Sequence, residues 1–277
     1  MTGAKAMTDR GLVYIATQQD RYVEEAFLSA ESAKRHAPGL HITLFTDRTG
    51  NALCATGCFD TVEAIAGSGI GNARANAQIN RFSGLTRTPY ERTLYLDTDT
   101  RVVSAGVAAL FDRLDNYDVA MAEDSFDTSR AAVETGRRMS NCGVILYRRH
   151  HAAAWLTPWH EATIRNLALA RQTPVPEIPE LAAVADAATR RWLLEVDKIA
   201  LLSVLPPDAA PETPRVVTLD GSWNWRKPTA DVTVNIHHPY DRVESPASEI
   251  RRLAEDWMRM GRKTEAQPLL AYLNRVT

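Results

Sequence analysis

Two carboxylates one residue apart are the first feature with chemical potential. They lie in Arg92-Thr-Leu-Tyr-Leu-Asp97-Thr98-Asp99-Thr-Arg101, directly after the apolar run Leu94 to Leu96. That run reads as a buried strand. On a continuing strand Thr98 would point to the opposite face, leaving Asp97 and Asp99 on the same side. Like charges held so close repel. A shared divalent cation offsets the repulsion, and hard oxygen ligands favour Mg²⁺ or Mn²⁺. The competing reading of so short a motif is an ordinary acidic turn at a strand end.

The elements that must position this pair lie on both sides of it. Gly11 to Thr17 is apolar enough for a central strand, and a helix from about Arg21 to Ala37 follows until Pro38-Gly39 stops it. Leu40 to Thr46 is the next strand. This strand, helix, strand order begins a doubly wound, mostly parallel α/β sheet, which binds ligands at the carboxyl ends of its strands. Thr17 to Asp20 therefore stands at the ligand end. Asp60 to Ala64 reads as a third strand, and a helix from about Ala73 to Leu85 leads into the acidic strand. The intervening Gly67-Ser-Gly69-Ile-Gly71 has the wrong spacing and place for a dinucleotide-binding turn and reads as a flexible loop.

Further on, a short helix near Val107 to Leu114 precedes a strand, Asp118 to Ala122, that ends at Glu123-Asp124. A second buried strand, Cys142 to Tyr147, has Asn141 and Gly143 at its entry. His150 to Ala170 and Leu181 to Leu205 have helical composition. Thr173 to Pro179 is too rich in proline for a helix and reads as an extended linker or a flexible loop. A late strand, Asp231 to Ile236, ends in His237-His238, and Ser245 to Val276 reads as mostly one polar-faced helix around Ile250, Leu253 and Trp257.

With 277 residues, 45% of them hydrophobic, the chain can bury one sizeable α/β core. A net charge of −2 leaves no electrostatic footprint for nucleic acid or an anionic membrane. No apolar run is long enough for a membrane span, and Met1 to Arg10 lacks the hydrophobic centre of a signal peptide, so a cytoplasmic protein is expected. Cys54, Cys58 and Cys142 fit neither a zinc site nor a disulfide framework and read as free thiols.

In order along the chain, several short motifs resemble the glycosyltransferase A-type fold, and more narrowly the retaining enzymes related to glycogenin and the bacterial lipooligosaccharide galactosyltransferases. They are Ile15-Ala-Thr17 before Tyr22, Ile42-Thr-Leu-Phe-Thr-Asp47, Arg81, Leu94-Tyr-Leu-Asp97-Thr-Asp99, Asn141-Cys-Gly143-Val-Ile-Leu-Tyr147, Asp197, and Ile236-His237. The resemblance implies a single catalytic domain over residues 11–241 with a C-terminal helical extension, 242–277, packed on it. It implies Mn²⁺ or Mg²⁺ held by Asp97, Asp99 and His237, with His238 the competing histidine. The donor implied is a nucleoside diphosphate sugar, a uridine one, its sugar passing to a hydroxyl acceptor with retention of configuration. Thr17 and Tyr22 would lie against the nucleoside, and Thr98 within the acidic motif. Arg81 would approach the donor, Asn141 and Gly143 would sit beside its sugar, and Asp124 and Asp197 would hold donor or acceptor hydroxyls.

This chain departs from the family in carrying Lys198 where a glutamine is common, and in lacking the Gly-x-x-Lys-Pro-Trp type of segment after His237. Two other readings compete. Tyr95-Leu-Asp97-Thr-Asp99-Thr100 also resembles the nucleophile motif of haloacid-dehalogenase-type phosphatases, in which Asp97 would take the phosphoryl group and Asp99 act as acid and base. A catalytically inactive nucleotide-sugar binding module is the other.

Overall fold

The chain is described by a computed structural model over residues 9–67, 73–123, 140–172, 201, 214–219, 223, 236–237 and 244–276. Its strands are β1 (Arg10–Ala16), β2 (His41–Thr46), β3 (Thr61–Ala64), β4 (Arg92–Leu96), β5 (Arg101–Val102), β6 (Val119–Glu123), β7 (Ser140–Arg148), β8 (Val216–Leu219) and β9 (Ile236–His237). Among the described residues the α-helices are α1 (Asp20–His36), α2 (Ala73–Leu85), α3 (Arg149–Gln172), α4 (Pro246–Arg259) and α5 (Lys263–Val276), with 3₁₀ segments at Ala52–Ala55 and Ala105–Asp115.

Seven strands form one sheet in the order β3-β2-β1-β4-β7-β6-β8. All run in one direction except β7, which is antiparallel to both β4 and β6. The sheet is therefore the mixed, mostly parallel kind expected. Strand periodicity sorts the apolar side chains onto two faces. Leu12, Tyr14, Leu94, Leu96, Val144 and Leu146 join α1, α4 and α5 in one buried cluster. Val13, Ile15, Tyr95, Ile145 and Tyr147 join α2 and α3 in the other, around the stacked rings of Trp155 and Trp159. With both faces covered, the inner strands are buried along nearly their whole length.

The short helix expected near Val107 to Leu114 is present as a 3₁₀ helix, Ala105–Asp115, capped by Ser104 through the Gly106 N–H at 3.0 Å. Two expectations need correction. Asn141 and Gly143 lie inside β7, which begins at Ser140, rather than at its entry. The C-terminal stretch is two helices. Gly261 adopts φ +76°, and the Arg262 and Gly261 N–H groups bond to the carbonyls of Trp257 and Met258 at 2.8 and 3.1 Å, a Schellman closure that ends α4. Strand β9 lies outside the main sheet and pairs antiparallel with β5.

Strand β8, which composition did not reveal, pairs parallel with β6. Asp118 anchors it: its carboxylate accepts from the Arg215 N–H at 2.9 Å and from the guanidinium at 3.3 and 3.4 Å. The expected linker 173–179, most of the helix 181–205 and the rest of the late strand, including His238, lie outside the described residues. Cys54, Cys58 and Cys142 are thiols rather than disulfide partners; burial pushes the Cys54 and Cys58 thiols up to about 11. No helix among the described residues is long and apolar enough to cross a membrane.

Candidate functional site

The acidic pair stands on a turn, not on a continuing strand. Strand β4 stops at Leu96, and the Thr100 N–H and Oγ1 both donate to the Asp97 carbonyl, at 3.2 and 2.8 Å. This closes residues 97–100 into a β-turn. The last rung to β7 is the Asp97 N–H donating to the Gly143 carbonyl at 2.8 Å. Both carboxylates thus belong to one short turn at the carboxyl end of a central strand, where this class of sheet presents ligand sites.

Asp97 is held by groups on two elements. The Tyr95 hydroxyl donates to its Oδ1 at 2.6 Å, and Arg81 Nη2 of α2 lies 3.5 Å from the same oxygen. The Arg81 guanidinium also lies 5.5 Å from the Tyr95 ring centroid, and its side chain is only 12% exposed, so it is no solvated helix face. Burial raises the Tyr95 phenol well above its ordinary range, with the Asp97 charge adding and Arg81 opposing. The phenol therefore stays protonated and remains a donor.

Asp97 Oδ2 faces Gly143. A Cβ at that glycine would lie 2.6 Å from Oδ2 and 2.8 Å from Asn141 Oδ1. Any larger residue would fill the space beside the carboxylate. Asn141 is buried, and its Oδ1 accepts the Gly143 N–H at 2.6 Å, which fixes the strand at this close approach.

The carboxyl end of β1 forms the neighbouring part. Thr17 is buried, its Oγ1 accepting from Asn80 Nδ2 at 2.9 Å. Gln18 adopts φ +76°, a left-handed conformation for a non-glycine residue. It is held there by its N–H donating to the Asp47 carboxylate at 3.0 and 3.1 Å and by Arg48 donating to its carbonyl. A Cβ on Gly67 would lie 2.7 Å from Gln18 Nε2 and 2.8 Å from Asp47 Oδ2, so Gly67 packs tightly against this corner. Tyr22 is partly buried and packs against the core on the α1 side.

Strand β9 brings His237 to the acidic turn. Its backbone pairs with Arg101, two residues beyond Asp99, while Ile236 pairs with Val102. Among the described residues no group of three or more His, Cys, Asp or Glu side chains forms a metal cluster; the His237 side chain is outside that description. The donor set nonetheless fits a hard divalent cation. It offers two carboxylates from one turn, an imidazole-bearing residue on the adjoining strand, and a glycine that lets Asp97 Oδ2 and Asn141 Oδ1 come close to the strand backbone. Asp124 and Asp197 lie outside the described residues.

Several residues of this site were not singled out by the sequence. Tyr95 had the clearest signal, since a residue two before Asp97 shares its face of the strand. Glu25 of α1 is 4% exposed and accepts from Thr98 Oγ1 at 3.1 Å, yet its spacing from Arg21 reads as a surface i,i+4 pair. Asn80, which holds Thr17, gave no signal.

No protein-family profile and no curated protein sequence matches the chain. Solved structures do. Mouse xyloside xylosyltransferase 1 aligns with a TM-score of 0.50 at 14% identity, over 84% of this chain and 98% of that one. The glycosyltransferase GlyE of Streptococcus pneumoniae aligns with a TM-score of 0.54 at 15% identity, over 86% of this chain and 56% of that one. The bifunctional glycosyltransferase WbbM aligns with a TM-score of 0.53 at 14% identity, over 88% of this chain and 48% of that one. The chain thus spans about half the length of the latter two. A mostly parallel sheet with one reversed strand, closing on an acidic turn at the end of β4, is on these grounds the glycosyltransferase A-type fold.

Proposed function

We propose that the chain is a glycosyltransferase that moves a sugar from a nucleoside diphosphate sugar, with uridine the expected base, to a hydroxyl acceptor, using Mn²⁺ or Mg²⁺. The observation that carries this reading is the convergence at one sheet end of the Asp97 to Thr100 turn, the close approach at Gly143 and the backbone of His237. Asp97, Asp99 and His237 would hold the cation. When bound, such a cation neutralises negative charge that grows on the departing nucleoside diphosphate.

The chain's own residues supply the rest. Thr17 and Tyr22 bound the nucleoside end, and Thr98 spaces the two acids. Arg81, poised on Asp97, offers a guanidinium to the donor, and Asn141 and Gly143 line the sugar. With retention, the acceptor oxygen bonds to the anomeric carbon on the face the diphosphate leaves. The electron pair of the broken bond goes to the diphosphate oxygen, and the acceptor proton follows it there. With inversion, Asp124 or Asp197 would take that proton as general base.

A thermal-shift panel of nucleoside diphosphates and their sugars, each with Mn²⁺ and with chelator, tests this reading, because binding to the folded state raises Tm by mass action. Stabilisation by one nucleotide, dependent on metal, is expected. Silence toward every nucleotide, combined with stabilisation by Mg²⁺ and a phosphate mimic, would replace it with the phosphatase. Metal-dependent hydrolysis of the donor would separate an enzyme from an inactive binding module.

A further inference from the structure

We propose that Glu25, Ser29 and Ser32 of α1 are positioning residues for the divalent-cation site, forming a buried polar clamp that fixes the turn bearing Asp97 and Asp99. The inference rests on the cation reading above. Positions 25, 29 and 32 follow i, i+4, i+7 spacing and so share one stripe of the helix. On a helix packed against a sheet that stripe is ordinarily apolar. Here the three residues are 4%, 0% and 9% exposed.

Each meets an alternate residue of the chain leaving β4. Thr98 Oγ1 donates to Glu25 Oε2 at 3.1 Å, Ser29 Oγ lies 2.9 Å from Thr100 Oγ1, and the Val102 N–H donates to Ser32 Oγ at 2.9 Å. Proton accounting gives the hydroxyls a direction. Thr100 spends its proton on the Asp97 carbonyl, so Ser29 must donate to Thr100 and Tyr14, 2.7 Å away, must donate to Ser29. A relay of buried hydroxyls starting at Tyr14 on β1 therefore ends on the backbone of Asp97. Ser32, which itself donates to the Ser29 carbonyl at 2.6 Å, holds β5 and with it the pairing to β9.

For stability alone this arrangement is a poor choice. Burying a carboxylate carries a desolvation cost that an apolar residue would avoid. Glu25 is paired with Arg21 at 2.9 Å, the Arg21 side chain being 60% exposed, and its carboxylate accepts from Thr98, the residue between Asp97 and Asp99 in sequence. A buried acceptor at this point gains its purpose from orienting Thr98, and with it the aspartates on either side. Groups that hydrogen-bond metal ligands typically set affinity by about 10–100-fold, and the clamp acts on the same two residues through the backbone of their turn.

The test measures Mn²⁺ affinity from the electron paramagnetic resonance of the free ion, alongside Tm without metal, for wild type, Glu25→Ala, Glu25→Gln, Thr98→Val and the Glu25→Ala/Thr98→Val double variant. Glu25→Ala and Thr98→Val are each expected to weaken Mn²⁺ binding about tenfold, the double variant no further, and Glu25→Gln, which keeps an acceptor for Thr98, to bind nearly as wild type. Unchanged Mn²⁺ affinity in Glu25→Ala and Thr98→Val, with only a lower Tm, would make the clamp merely structural. Glu25→Gln as weak as Glu25→Ala would assign the effect to charge and overturn the positioning account. If Glu25→Ala does not fold, Thr98→Val, which leaves α1 intact, decides the question. A wild-type chain that binds no Mn²⁺ overturns the cation reading itself, an outcome distinct from the other two.

Discussion

Replacing Gly143 by alanine adds one methyl group at the closest approach in the site. Its carbon would lie 2.6 Å from Asp97 Oδ2, 2.8 Å from Asn141 Oδ1 and 3.0 Å from Asp97 Cγ, where ordinary contact begins at 3.4 Å. The carboxylate must retreat by about 0.8 Å. It cannot do so freely, because Oδ1 is held by Tyr95 at 2.6 Å and the Asp97 N–H by the Gly143 carbonyl at 2.8 Å. Asn141 is similarly fixed through the Gly143 N–H at 2.6 Å. Overpacking of this kind costs about 1–3 kcal/mol. At about 2–4 °C per kcal/mol, Tm should fall by roughly 2–12 °C. Activity should suffer more, since a displacement of about 1 Å in a positioned group can cost on the order of 100-fold in rate. The assay is metal-dependent hydrolysis of the donor measured beside thermal unfolding. Gly39→Ala is the control, because no atom lies within 4 Å of its new methyl group. If Gly143→Ala matches that control in both Tm and turnover, the close approach is incidental and the reasoning fails.

Other consequences are as concrete. Asp97→Ala and Asp99→Ala should each abolish metal-dependent stabilisation by nucleotide while leaving the circular dichroism of the fold intact; retention of that stabilisation in both would remove the assigned ligands. Tyr95→Phe removes a hydrogen bond to a carboxylate, worth about 1.5–3 kcal/mol, so Tm should drop and Mn²⁺ affinity should weaken, as calorimetry can measure. Asp118 gives a pH signature. Burial works against its ionisation, but the bonds from Arg215 outweigh this and hold its folded pKa below the usual value. Its contribution is thus present above the unfolded value of about 3.9 and is lost as pH falls through the folded one. The stability gap between wild type and Asp118→Asn should be full near neutrality and narrow as pH falls below the unfolded value, and a gap independent of pH in urea unfolding would contradict this.

The sheet was legible because its strands are apolar runs buried on both faces, with polar or glycine-containing breaks between them; Leu12 to Ala16 and Leu94 to Leu96 have few alternatives. Asp97 and Asp99 were found for the same reason, since charges at the end of such a run are conspicuous. Their geometry was not legible. Whether β4 continued or turned depended on the Thr100 hydroxyl reaching back to the Asp97 carbonyl, and a threonine is equally at home in a strand. Strand β8 escaped because only four residues, Val216 to Leu219, pair in it and its anchor, Asp118, is distant in sequence. Gly261 ended α4 by adopting a left-handed conformation, but the polar-faced pattern continues on either side and hid the break. Glu25 was the hardest to see, because a glutamate four residues after an arginine looks the same whether the helix face it occupies meets water or a buried threonine.

The pairing of β5 with β9 carries a consequence for how the protein is made. The segment after the acidic turn finds its strand partner at His237 and an ion-pair partner at Glu249, 2.9 Å from Arg101 and 148 positions later in the chain. Contacts of such sequence separation close late, after local helices and hairpins. As the chain leaves the ribosome, β1 to β4 can assemble early, with α1 beside them. The acidic turn must wait, braced on one side only, until the C-terminal helices emerge. A nascent chain arrested before Glu249 should therefore resist proteolysis in its first strands while remaining open at residues 97–102. Competence to hold a cation would then be the last property the molecule acquires.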